Sequence, residues 1–95
     1  MNLKKSDICK TISNRQRMQF DYDEKPRIAE PQCYGMTTTG KESIRFHMIK
    51  GGSRPEQLFE VAKMRNITLL NEHFTQPGPN YVKNDSAFKV IFCQL

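Results

Sequence analysis

From Arg15 onward, apolar and polar side chains alternate. Met18, Phe20 and Tyr22 are interleaved with Arg17, Gln19 and Asp21. A period of two places one set on a single face, which predicts a half-buried strand. Asp23-Glu24-Lys25-Pro26 predicts a turn. A second extended stretch follows over Arg27 to Tyr34, with Pro31 implying an edge or a bend. Gly35 and Gly40 bracket a Thr-rich loop, and Ile44, Phe46 and Met48 then alternate with Arg45 and His47 as another strand. Gly51 to Pro55 predicts a loop. Leu58 to Lys63 predicts a strand from the Phe59/Val61 alternation, although Leu58, Ala62 and Arg65 also fit a helical turn. Ile67 to Leu70 continues as a strand, with Phe74 packing nearby. Residues 75–86 predict an irregular loop, and Ala87 to Gln94 a final strand with Phe88, Val90 and Phe92 on one face.

Ahead of these strands, residues 3–13 predict a helix. Leu3, Ile8 and Ile12 share a broad face, with Lys4, Lys5, Asp7 and Lys10 mostly elsewhere. Asn14, tolerant of the left-handed conformation, is the expected stop. So short a helix must dock on the rest of the chain to persist. One helix before five or six short strands predicts a mainly β fold, a small barrel or sandwich.

The chain has 95 residues, room for one domain spanning 1–95, with the barrel over about 16–95. TIM barrels and two-lobed enzymes are excluded by size. Nine aromatics, six Phe and three Tyr, argue against disorder. Fifteen Lys and Arg against ten Asp and Glu give a net charge of +5, which suits an anionic partner such as nucleic acid, nucleotide or anionic lipid and equally a soluble small domain without one. No apolar stretch is long enough for a membrane span. The segment Met1 to Arg15 lacks the apolar core of a secretory signal. Cys9, Cys33 and Cys93 are odd in number and none is paired at C-x-x-C spacing. This predicts reduced thiols in a cytoplasmic protein. A zinc site would have to draw on these three with His47 and His73, whose scatter has no metal-site cadence, so neither a metal nor a cofactor is expected.

Gly35 to Lys41 matches a phosphate-binding loop, except that Glu42 stands where a hydroxyl should hold magnesium. The residues after it alternate as a strand rather than opening a helix, so a strand connection is expected. Arg27, Arg45, Arg54 and Arg65 lie in or beside strands and loops, and an Arg fork suits phosphate. Arg45 and His47 share a face by parity, opposite Ile44, Phe46 and Met48. Arg27 either approaches that face or pairs with Glu30 or a turn carboxylate. Tyr34, His47, His73 and Tyr81 offer stacking or hydrogen bonds to bases. No nucleophile–base pair is evident, so an enzyme is not expected.

Phe20-x-Tyr22 followed by Arg27-Ile28-Ala29-Glu30-Pro31 resembles the opening signature of the WYL domain family, which a helix and a basic segment, here Arg15-Gln16-Arg17, also precede. Ile44 to Met48 sits where that family has its next core strand. Leu58 to Met64 and Asn66 to Phe74 resemble its following stretches, and Pro77 to Asp85 is similar to a Pro-Gly-containing tail of its short members. The Trp-Tyr-Leu triplet is absent, and His47 stands where short members carry an aromatic. The resemblance implies an SH3-like or Sm-like β-barrel that senses ligands, often nucleotides or nucleic acid, in transcription regulation or phage defence. The matching ligand-binding positions are Tyr22, Arg27, Arg45, His47 and Lys63. The alternative is a protein-interaction module, a partner subunit or homodimer without a small ligand.

Overall fold

The computed structural model describes residues 3–95. Helix α1 spans Lys5–Ser13. Asp7 anchors its start by accepting the Lys4 N–H at 3.1 Å, a negative charge where the helix dipole favours one. Ile8, Thr11 and Ile12 form the buried stripe at spacings of three and four. Leu3 precedes the helix and still packs on the core. The helix stops at Asn14, as expected, but by a different conformation. Asn14 stays in the right-handed region, and Arg15 takes the left-handed turn at φ 52°.

Strands β1 (Gln16–Tyr22) and β2 (Lys25–Thr37) form a hairpin with Tyr22 opposite Lys25. Both turn residues, Asp23 and Glu24, have positive φ, as a two-residue turn matched to strand twist requires. β3 (Glu42–Lys50) and β4 (Glu56–Glu60) follow, then β5 (Arg65–His73) and β6 (Phe88–Gln94). All pairings are antiparallel. The order is β4-β3-β2-β1-β5, with β6 on β2.

The long β2 organises the fold. One edge pairs with β3 almost throughout; the other meets β1 up to Ala29 and β6 from Cys33. The expected interruption at Pro31 is a change of partner within one continuous strand. Pro31 falls between the two ladders, where a missing N–H costs no bond on that side, beside a register shift between Pro31 and Cys33. The sheet rolls around Ile8, Ile12, Met18, Phe20, Ala29, Tyr34, Ile44, Phe46, Phe59 and Met64. The near-equal extents of 28 × 27 × 27 Å over the described residues accord with a sheet rolled around this core. Phe20, Phe46 and Phe59 form the aromatic centre, with ring centroids 5.0–5.9 Å apart. The fold is mainly β, barrel-like, with an N-terminal helix, as expected.

Three local expectations are corrected. The segment Leu58 to Lys63 is both readings in succession, since β4 ends at Glu60 and a 3-10 turn covers Val61–Lys63. That turn, rather than a ladder, links β4 to β5. In β6, register shifts opposite Tyr34/Gly35 and Met36/Thr37 break the parity, so Phe88 is buried while Val90 is 47% exposed. Finally, Cys9 and Cys93 form a disulfide joining α1 to β6 across 84 residues, with Cα atoms 5.7 Å apart. Only Cys33 is a free, buried thiol. An odd count does not forbid one pair, and partners this distant are brought together only by tertiary packing.

Candidate functional site

The five expected ligand residues fall into two groups. Tyr22, at the end of β1, packs edge-on against Phe59 with ring centroids 4.6 Å apart. Its hydroxyl accepts the Glu60 N–H at 3.2 Å. Arg27 lies opposite Phe20 in the register and therefore points to the core side. It is 7% exposed, and its guanidinium carbon lies 5.3 Å from the Phe59 ring centroid. Nη1 donates to the Gly51 carbonyl at 2.8 Å and Nη2 to the Tyr22 carbonyl at 3.1 Å. Among the described residues it pairs with no carboxylate. Glu30 is held by Arg17 at 2.7 Å instead. Lys63 stands exposed on the 3-10 turn, 3.7 Å from Glu60.

Arg45 and His47 share the opposite face of β3, as parity predicts, and residues 75–87 fold over them. Arg45 Nε donates to Asp85 Oδ2 at 2.8 Å and Nη2 to Oδ1 at 3.4 Å. The His47 ring lies so close to Gly78 that a Cβ there would overlap the imidazole. Gln32 ties the loop to β4, donating to Glu56 at 3.0 Å and accepting the Gly78 N–H at 2.7 Å. Beneath lies a cleft of about 260 Å³ lined by Cys33, Arg45, Glu56, Tyr81, Val82, Asp85 and Ser86. Burial, then the Asp85 charge, pushes the Cys33 thiol up to about 11, partly offset by Arg45. A protonated thiol is a poor nucleophile. Burial would raise the Asp85 pKa, but hydrogen bonds from Arg45 and Ala87 and the Arg45 charge hold it below the usual carboxylate range. Arg45 is thus already neutralised, and Glu56 adds a second carboxylate. An anion has little to gain here.

A larger cleft, about 560 Å³, is elsewhere and is lined by Gln19, Lys25, Pro26, Ile28, Lys50 and Gly51. Gln19, Ile28 and Lys50 form one row across β1, β2 and β3, and Lys25 opens β2 at the hairpin. No carboxylate lines this groove, and among the described residues neither lysine forms a salt bridge. Asp21, opposite Pro26 in the β1–β2 register, accepts from Asn66 at 2.8 Å. Gly51 adopts φ +83°, and any Cβ would overlap the Pro26 carbonyl oxygen, so glycine is what lets the β3–β4 loop close against the hairpin. Arg27 holds the Gly51 carbonyl from behind. It builds the groove wall rather than lining it.

Sequence reasoning missed Lys25 and Lys50. The available signal was that both flank turns on neighbouring antiparallel segments, but the Ile28–Lys50 register had to be known. The phosphate-loop match resolves as a strand connection. Gly40 N–H donates to the Thr37 carbonyl at 2.9 Å, Glu42 accepts the Tyr34 hydroxyl at 2.7 Å, and β3 follows. Among the described residues no group of three His, Cys, Asp or Glu is placed to hold a metal, and no helix is long and apolar enough to cross a membrane. No family model, curated protein or solved structure matches the chain.

Proposed function

We propose that this domain is a non-enzymatic binding module of the WYL-like kind, recognising a nucleotide or single-stranded nucleic acid in a regulatory role. One observation carries the proposal: a groove of about 560 Å³ presents Lys25 and Lys50, which form no salt bridge among the described residues, and no carboxylate lines it. Lys would meet phosphate as a point charge. Ile28 and Pro26 supply an apolar floor against which a base can lie, and the Gln19 amide both donates and accepts. In this reading Arg27 positions the groove, while Arg45 serves the Asp85 loop clamp.

The test is binding of a short single-stranded oligonucleotide, and separately of a nucleotide, across a salt series. Lys25→Gln/Lys50→Gln should weaken oligonucleotide binding and reduce the log–log salt slope by about 1.4, about 0.7 for each phosphate contact. Arg45→Gln should leave the slope unchanged. Equal binding by the double variant removes the groove from consideration. No binding by the parent at low salt favours the protein-interaction alternative.

A further inference from the structure

We infer that the Cys9–Cys93 disulfide is a redox-operated clasp, whose reduction by a dithiol releases β6 and the 75–87 loop and uncovers Cys33. Three features of the fold converge on this. The disulfide is reachable: it lines a surface cleft of about 240 Å³ with Ile12, Ser13, Arg15, Gln94 and Leu95. The elements it joins depend on docking rather than on their own length. α1 has nine residues, too few to be stable alone, and among the described residues β6 pairs with β2 on one side only. Finally, the end of β6 holds the loop over Cys33. Tyr81 donates its hydroxyl to the Leu95 carbonyl at 2.7 Å. Asn84 and Gln94 exchange two hydrogen bonds of 2.9 Å. Cys33 itself lies opposite Gln94 and next to the Tyr34–Cys93 pair.

The chemistry balances as ordinary exchange. A thiolate of the dithiol attacks one cysteine sulfur, the protein S–S bond breaks, and the other cysteine leaves as a thiolate that takes a proton from water. The second thiol of the reductant then displaces the mixed disulfide and closes a ring. The protein gains two thiols and the dithiol is oxidised to a cyclic disulfide. Arg15, in the same cleft, places positive charge near the departing thiolate. Once β6 and the loop part from β2, Cys33 loses the burial that holds its proton and becomes alkylatable.

The experiment uses the whole chain, oxidised or reduced with dithiothreitol and freed of reagent without air. Iodoacetamide labelling is read cysteine by cysteine by peptide mass spectrometry, alongside hydrogen exchange. Reduction should raise the Cys33 labelling rate about tenfold or more, with added exchange confined to α1, residues 75–87 and β6. Cys9→Ser/Cys93→Ser should reproduce this without reductant. An unchanged Cys33 rate in reduced protein overturns the clasp. So does failure of dithiothreitol to free Cys9 and Cys93, or exchange that rises equally through β1, β2 and β3. Oligonucleotide binding at the lysine groove is a separate readout.

Discussion

Removing the Arg45–Asp85 pair should unfasten the 75–87 loop and cost about 2 kcal/mol. The side chains are 25% and 14% exposed, between a surface pair, worth about 0.2–1 kcal/mol, and a buried one, whose breaking costs about 3–5 kcal/mol. Unit charges about 4 Å apart attract by about 4 kcal/mol at an effective dielectric of 20, and desolvation offsets part of that. Asp85 also accepts the Ala87 N–H at 3.0 Å. Asp85→Asn keeps an oxygen for that bond, so it isolates the charge. A cycle of Asp85→Asn, Arg45→Gln and the double variant, measured by urea unfolding, should give a coupling of about 1.5 kcal/mol. The Asp85→Asn melting temperature should fall by about 8–16 °C for a domain of this size. Asp85 titrates below its ordinary value of 3.8 in the folded state. Its contribution is therefore full above that value and is lost as pH falls through the lower folded value. The stability gap between parent and Asp85→Asn should be flat from pH 5 upward and close below about pH 4. A coupling under about 0.3 kcal/mol, within ordinary additivity error, or a gap that persists into acid, would refute the reasoning.

Phe46→Ala should cost about 3–5 kcal/mol in urea unfolding, because Phe46 is fully buried against Phe20 and Phe59; a change below about 0.5 kcal/mol would contradict its core placement. Glu24→Gly should stabilise by about 0.5–1 kcal/mol, since it relieves a left-handed backbone at φ 62° costing about 1–2 kcal/mol and returns part of that as chain entropy. Thermal melts read this directly, and a lower melting temperature counts against the turn assignment. Gly51→Ala should destabilise by more than the roughly 1–2 kcal/mol of the left-handed penalty, because its Cβ also meets the Pro26 carbonyl. It should weaken oligonucleotide binding as the groove opens, and a silent Gly51→Ala would show that the loop does not close there.

The alternation of apolar and polar residues by itself determined most of the strands, the burial of Phe20 and Phe46 and the shared face of Arg45 and His47. Each is a local matter, because a strand turns its side chains over at every residue whatever lies elsewhere in the chain. The helix stripe of Ile8 and Ile12 was legible for the same reason. Tertiary structure decided the rest. Register shifts turned Val90 outward, since a bulge resets parity and depends on the partner strand. The inward aim of Arg27 came from its place opposite Phe20, and its partners are carbonyls, which carry no side-chain signature. Cys9 and Cys93 became partners because α1 docks against β6, a contact between chain ends that no local spacing encodes. Lys25 and Lys50 share a groove because Ile28 pairs with Lys50 and Gly51 lets the next loop close on Pro26. Local sterics write a period into the chain, whereas a groove is made by residues that only long-range pairing brings side by side.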